Sequence, residues 1–363
     1  MKSVRKKPGS RRAASSRPRD ADSTADISRL LDIVAAFPRQ TIAVLGDMVV
    51  DEFVSGEISR VSREAPVLIL RHRRSEFYPG GAANAANNLA ALGARVLPIG
   101  VVGDDQGGGR LIEYFRSKGV SASGILTARG WTTPSKTRFL AGWTHTGEQQ
   151  VLRVDREPDH APPERVQTAL ARKVRSMTRR CSAVLVSDYG FGAVSPALVR
   201  GLAAKIITLD SRYRLLDFRG AGIIAATPNE AELEAAYHAR IGDDPRQLEI
   251  LGRRALRDLG LAALVVTRGK DGMSVFERSA GGSAGAARQI PIYGSDASVD
   301  VTGAGDTVIA VFTLALAAGA TYLEAAHLAN YAGGIVVMKR RTATLTRAEL
   351  ESALRGVATA PRT

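Results

Sequence analysis

Thr302-Gly303-Ala304-Gly305-Asp306 follows the β-branched residues Val299 and Val301 and precedes an apolar segment of helical potential that runs to Leu316. Gly303 and Gly305 remove side chains where backbone N–H groups must come close to a ligand, and a helix start adds its partial positive charge at the same point. That combination suits phosphate oxygens. Asp306 sets a carboxylate beside the anion site, where a bound phosphate would repel it. It could be a helix N-cap. The chemical alternative is a general base that takes a proton from an attacking hydroxyl while glycine-flanked amides hold the phosphoryl group. No Gly-Lys-Ser/Thr follows the glycines and the full dinucleotide fingerprint is absent, so neither of those phosphate-binding patterns applies.

Other polar groups stand where strands end. Thr41–Leu45 reads as a buried strand followed by Gly46-Asp47, with Asp51 four residues further on. Asp47 could cap a turn or accept hydrogen bonds from substrate hydroxyls. In Glu76–Asn88, Gly80-Gly81 permits a close backbone approach. Ala82–Leu92 then reads as a small-residue helix that carries Asn84 near its start. Small residues there could also serve only to seat the helix against a sheet. Pro228 and Glu230 suit a helix start within Thr227-Pro228-Asn229-Glu230-Ala231-Glu232, where Asn229 and Glu232 could simply cap. The strand Leu261–Thr267 runs into a glycine turn, Gly269 to Gly272.

The elements that must position these groups alternate. Strands are expected at Thr41–Leu45, Ala94–Val102, Ala183–Ser187, Ile206–Leu209, Ile223–Ala226 and Leu261–Thr267, with helices between most of them. That rhythm predicts an α/β fold with a mostly parallel sheet covered on both faces. Asp recurs at strand ends, which puts the polar groups on one rim, the usual ligand edge. Gly56–Val61 and Pro66–Arg71 read as short strands, and Thr133–Leu140 and Gln149–Asp155 alternate charged and apolar residues as in a ribbon with one wet face, so these four strands are expected to form a small separate sheet. Ser279–Ala287 reads as a surface loop, and two more helices follow from Tyr322.

Composition restricts the possibilities further. Apolar residues make up 45% of the 363 and charged residues 24%, ordinary for a globular protein with a sizeable core. The apolar run near Val308–Ala318 is too short to span a bilayer. A single cysteine, Cys181, excludes a disulfide framework, and the five histidines show no ligand spacing. Net charge is +14, of which residues 1–20 supply eight basic side chains against Asp20 alone. That tail lacks apolar periodicity and an h-region, so it is expected to be disordered and not a secretory signal. Aromatics are 5% and are not interleaved with basic residues, so a base-stacking surface is unsupported and nucleic acid is not expected as a partner.

The DVTGAGD, GGAAN and TPNEAE segments together resemble the ribokinase-like (PfkB) sugar kinases, over about Thr41 to Leu350. The resemblance implies a ribokinase-like three-layer sandwich with a small β-sheet lid. It divides the chain into a basic tail over residues 1–25 and a kinase domain over 26–355, with lid strands at about 52–73 and 133–156. It implies ATP and Mg²⁺ as cofactors, and a cytoplasmic enzyme that dimerises through the lid. Asp306 would be the base, with Gly303, Ala304 and Gly305 around the transferred phosphoryl group. Asp47, Asp51, Gly80, Gly81, Asn84 and Arg138 would bind the sugar, Arg138 as the first candidate for a fixed phosphate. Asn229 and Glu232 would organise Mg²⁺, mainly through water, and Thr267, Gly269, Gly272 and Asp300 would line the nucleotide.

Within the family, LGDMVVDEFVSGEISRVSREAPVLIL, SKTRFLAG, QQVLRVDRE and SDYG look most like the D-glycero-β-D-manno-heptose 7-phosphate kinases of ADP-heptose synthesis. The expected reaction is phosphorylation of that sugar's anomeric hydroxyl. Three features depart from the subgroup. Phe191-Gly192 stands where Lys-Gly is usual, Asp210-Ser211-Arg212 replaces a lysine-containing stretch, and an inserted WTHTG separates two lid strands. Arg212 or Arg214 could replace the lost lysine. A kinase of another sugar or nucleoside, and a non-catalytic sugar or nucleotide sensor, are the alternative readings.

Overall fold

The structure, a computed structural model, describes residues 26–142, 148–279, 281, 285–294 and 299–359. The basic tail, the Trp143–Gly147 insert and part of the Ser279–Ala287 loop lie outside the described residues.

In chain order, α1 (Ile27–Ala35) leads to β1 (Thr41–Gly46), and β2 (Met48–Val61) and β3 (Leu68–Gly81) pair as a long hairpin. Then come α2 (Ala82–Ala91), β4 (Arg95–Gly103), α3 (Gln106–Ser117), β5 (Gly124–Ala128), β6 (Ser135–Gly142) and β7 (Gln149–Arg156). The middle of the chain supplies α4 (Glu164–Thr178), β8 (Ala183–Asp188), α5 (Pro196–Arg200), β9 (Ile207–Ser211), β10 (Ala225–Ala226), α6 (Glu230–Tyr237) and α7 (Pro245–Asp258). The last part holds β11 (Ala263–Thr267), β12 (Met273–Glu277), β13 (Arg288–Ile290), α8 (Ala304–Ala317), α9 (Tyr322–Val336) and α10 (Arg347–Thr359).

Nine strands form one sheet in the order β13-β12-β11-β10-β9-β8-β1-β4-β5, parallel from β11 to β5 and antiparallel at β12 and β13. Successive side chains of β1 part to its two faces. Ile42 and Val44 join a core with α1, α2, α8 and α9, while Ala43 and Leu45 join a second core with α4, α6 and α7. The outcome is the expected three-layer sandwich. Strand order reverses between β1 and β8, so their carboxyl ends flank a crevice, the place where open α/β sheets bind ligands. Helix α8 is apolar on all sides and buried from Asp306 to Leu316, as a helix between a sheet and other helices must be.

The second sheet, in the order β3-β2-β6-β7, is the expected lid, but its first two strands are longer than expected. β2 and β3 run for 14 residues each and carry Asp51, Gly80 and Gly81 into the sheet, with Met48 opposite Gly81. These strands pass from a buried root to an exposed tip, so no single alternating pattern marks their whole length. Pro79 is tolerated because β3 is an edge strand. Short elements without strong periodicity, β5 and β13, and the helix α7 were not anticipated. Among the described residues no helix is long and apolar enough to cross a membrane.

Candidate active site

A cavity of about 590 Å³ opens between the lid and the carboxyl ends of the parallel strands. Asp306 faces it from the first turn of α8. Gly303 is the N-cap of that helix in the left-handed conformation at φ +77°, and a Cβ there would stand 2.5 Å from Asn84 Nδ2. Only glycine fits the position. Gly305 meets nothing within 4 Å of where a Cβ would be, so its face is open to a ligand. The Ala304 amide donates to the Val301 carbonyl at 3.3 Å. The Gly305 and Asp306 amides, in the first turn, have no intrahelical acceptor and remain for an anion.

Both oxygens of the Asp306 carboxylate are engaged. Oδ2 accepts from Asn84 Nδ2 at 3.0 Å and Oδ1 from the Tyr189 hydroxyl at 2.9 Å. Burial raises this carboxyl to about 7, against the pull of those two donors. A group poised there can take up a proton near neutral pH. Asn84 is fully buried, gives its second amide contact to the Gly303 carbonyl at 3.2 Å, and accepts from Asn88 Nδ2 at 3.0 Å. Expected at the sugar, it is spent here on Asp306 and its helix start.

Asp47 also lies away from the cavity. Its carboxylate accepts from the amides of Tyr189 at 2.8 Å, Phe191 at 3.2 Å and Ala193 at 3.1 Å, so the turn-capping alternative describes its contacts. Burial, with Asp188 nearby, pushes its carboxyl up to about 6. Asp51 does reach the cavity, where its Oδ1 accepts from Arg138 Nη1 at 2.6 Å and its Oδ2 from the Thr342 hydroxyl at 3.2 Å. Gly80 leaves room for that carboxylate, since a Cβ on it would come within 2.6 Å of Oδ2. Gly81, at φ +55°, starts α2 and lines the cavity.

Arg138 is thus paired with Asp51 and lies over the Phe53 ring, 5.2 Å from its centre. The less committed cations in the cavity are Lys136, two residues earlier on the same face of β6, and Arg212 after β9. Burial lowers the Lys136 ammonium, and the Arg212 charge lowers it further. Arg214 pairs instead with Asp188. Of the two arginines suggested in place of the missing lysine, only Arg212 lines the cavity. Lys136, Tyr189 and Asp210 are among the cavity groups that sequence patterns do not single out as site residues.

Asn229 and Glu232 form a reciprocal cap at the start of α6, at 2.8 and 2.9 Å, and both line the cavity. Burial raises the Glu232 carboxyl. Burial raises that of Asp210 well above its usual range, with Glu232 and Asp306 adding to the effect. A cation beside Asp210 and Glu232 would relieve that repulsion, so the donor chemistry fits Mg²⁺ held mainly through water and phosphate oxygens. Among the described residues no three His, Cys, Asp or Glu side chains could hold an ion unaided. The Thr227 hydroxyl, buried at the cavity wall, has no hydrogen-bond partner among the described residues and remains for a ligand.

An adjoining, mostly apolar cavity of about 270 Å³ shares Thr267, Val301 and Gly305 with the first and is lined by Gly269 and Gly272. It could hold a planar base. Asp300 lies elsewhere: its carboxylate accepts from the amides of Thr302 and Arg341, both at 2.9 Å, and borders a separate cavity against Arg341.

The fold and the motifs at this site define a carbohydrate kinase of the pfkB family, to which the chain belongs: the model of the pfkB family carbohydrate kinases matches residues 40–167 and 209–348. The family that this model describes is one of carbohydrate kinases. Its curated relatives include the bifunctional protein HldE of Desulfatibacillum aliphaticivorans, 37% identical over 88% of this chain and 64% of that protein. They also include HldE of Geobacter metallireducens, 40% identical over 85% of this chain and 61% of that one. The chain thus spans less than two thirds of the length of these relatives. Among solved structures, Arabidopsis thaliana ribokinase complexed with ribose and ATP aligns with a TM-score of 0.64 at 18% identity, over 87% of this chain and 99% of that one. Escherichia coli phosphofructokinase-2 in complex with fructose-6-phosphate aligns with a TM-score of 0.68 at 17% identity, over 88% and 99%. At that identity these likenesses establish the fold.

Proposed function

We propose that this chain transfers the terminal phosphoryl group of ATP to a hydroxyl of a sugar that already carries a phosphate, namely the anomeric hydroxyl of D-glycero-β-D-manno-heptose 7-phosphate. The observation that carries the reading is the Asp306 carboxylate beside the open first-turn amides of α8, facing a cavity with Lys136 and Arg212 across it. Asp306 would take the acceptor hydroxyl's proton, and the Gly305 and Asp306 amides would stabilise charge on the phosphoryl group in flight. Removing one such donor costs about a hundredfold or more in rate. Mg²⁺ would neutralise the nucleotide phosphates near Glu232 and Asp210, and Thr267, Gly269 and Gly272 would border the base. Asp51 and Gly81 would face the sugar hydroxyls, with Asn84 and Asp47 acting one layer behind.

Lys136 and Arg212 would hold the sugar's fixed phosphate, in place of Arg138, the candidate from sequence, which pairs with Asp51. Arg212→Ala is expected to raise KM for the sugar phosphate about tenfold or more with kcat changed less, the result of losing a charge-assisted hydrogen bond to a phosphate. ADP release measured over a panel of heptose 7-phosphate, hexose phosphates, pentose phosphates and unphosphorylated sugars tests the whole reading. Heptose 7-phosphate is expected to give the highest kcat/KM. Preference for a free sugar would overturn the phosphate assignment, and binding without ADP release would turn the reading toward a sensor.

An exposed strand at the edge of the lid also supports assembly through it. β7 is exposed along its length, with Val151, Leu152 and Val154 between 43% and 56% accessible. A second copy would cover it, and light scattering of the full chain would report a dimer.

A further inference from the structure

Tyr189 follows the last residue of β8 and faces the start of α8, 117 residues away in sequence, where its hydroxyl donates to Asp306 Oδ1 at 2.9 Å. Its ring forms part of the cavity wall, with Lys136 Nζ 5.2 Å from the ring centre. Asn84 holds the opposite carboxylate oxygen. A carboxylate gripped at both oxygens from two different elements cannot turn about its terminal torsion. Its remaining lone pairs therefore point in fixed directions, toward the cavity.

The tyrosine is itself anchored from behind. The Asp47 carboxylate gathers the amides of Tyr189, Phe191 and Ala193, and Asp188 accepts from the Gly190 amide at 3.2 Å and the Ser211 hydroxyl at 2.8 Å. Two buried carboxylates thus shape a loop whose one contact with the candidate base is the phenol. The Phe191 contribution is its backbone amide, so the departure from lysine there leaves the anchor intact.

We propose that Tyr189 is a positioning residue for phosphoryl transfer, its phenol held by the Asp47-anchored loop so that it aims the Asp306 carboxylate at the acceptor hydroxyl and favours its ionised form. The proposal rests on the reading of Asp306 as the base. The acceptor's proton passes to Asp306, and Tyr189 keeps its own. Burial and the Asp306 charge hold the phenol well above its ordinary value, so it stays a donor at any working pH. The charged groups facing the pair are Asp51 from β2, Lys136 from β6 and Asp210 from β9. Asp51 opposes ionisation of Asp306 and Lys136 favours it. Asp51 and Asp210 oppose ionisation of the phenol.

The test compares wild type, Tyr189→Phe and Asp306→Asn as full chains, with ATP and the sugar phosphate of the panel that gives the fastest ADP release. Tyr189→Phe is expected to lower kcat about tenfold, to leave KM for ATP within about twofold, and to move the acid limb of kcat/KM upward by about half a pH unit or more, because a donor to the charged form is lost. An unmoved acid limb with unchanged kcat would overturn the proposal, since a merely structural tyrosine moves no titration. Melting temperature against pH, without substrate, reads the same hold independently: the upper end of the window in which stability falls with rising pH should move upward in Tyr189→Phe, while its lower end, set by the unfolded chain, stays. If Asp306→Asn keeps its turnover, the base reading fails while this melting shift still decides whether Tyr189 governs the carboxylate. Should the Phe variant not fold, 3-fluorotyrosine at 189, a stronger donor, should move the acid limb downward, and no movement overturns the proposal.

Discussion

Asp306→Asn is expected to lower kcat by about a thousandfold or more while ATP binding stays near wild type, as loss of a positioned general base does. The amide is isosteric and still accepts or donates toward Tyr189 and Asn84, so the site keeps its shape and loses its proton acceptor. The wild-type acid limb should lie near the value of about 7 to which burial raises this carboxyl, with activity falling as pH drops through it. The same substitution should stabilise the protein. The folded carboxyl, raised from 3.8 to about 7, binds a proton more tightly than the unfolded one. Native stability therefore declines as pH rises between those values and carries the full penalty above them. At about 1.4 kcal/mol per pH unit, the Asn variant should gain on the order of 2–4 kcal/mol at pH 8, and nothing below about pH 4. Asp47 titrates with the same sign but is present in both proteins, so it cancels in the difference. Calorimetry across pH, beside an ADP-release assay, checks both halves. A variant that turns over at more than a tenth of the wild-type rate would exclude the base.

Gly303→Ala carries the second large effect, and it divides stability from chemistry when set beside Gly305→Ala. The left-handed backbone at 303, φ +77°, costs an L-residue roughly 1–2 kcal/mol. The added Cβ would also sit 2.5 Å from Asn84 Nδ2 and 3.0 Å from Thr342 Cγ2. Asn84 has nowhere to go, because it is fully buried and tied to Asn88, which in turn accepts from the Leu345 amide at 3.1 Å. Displacing it frees Asp306 Oδ2. The expected result is a loss of about 2–4 kcal/mol in stability, the range of backbone strain plus a broken buried network. With it should come a fall of about a hundredfold in kcat, in the range measured for misplaced catalytic groups. Gly305→Ala, whose Cβ meets no protein atom, should fold as well as wild type yet weaken kcat/KM for ATP by crowding the anion site. Equal melting temperatures for the two variants would refute this account of Gly303.

Local signals in the chain were enough to mark a helix start with an anion cradle, a carboxylate at its third position, a parallel sheet with polar strand ends and a separate small sheet. Each is a property of one element or of neighbouring ones: glycine where no Cβ fits, apolar periodicity, caps. What only the tertiary structure decided is which polar groups meet. Asp47 and Asp51 look alike four residues apart. Folding sends one to the amides of a loop 142 residues later and the other to Arg138, because β1 pairs with β8 on one side while β2 pairs with β6 in the lid. Tyr189 and Lys136 stand in segments that marked a resemblance, SDYG and SKTRFLAG, and Arg212 in a departure from one, but their roles arise only where the ends of β8, β6 and β9 converge. Asn84 carries a motif, yet across 222 residues it turns to Asp306. A buried amide must satisfy its own donors, and in the folded chain the nearest acceptors are that carboxylate and the Gly303 carbonyl.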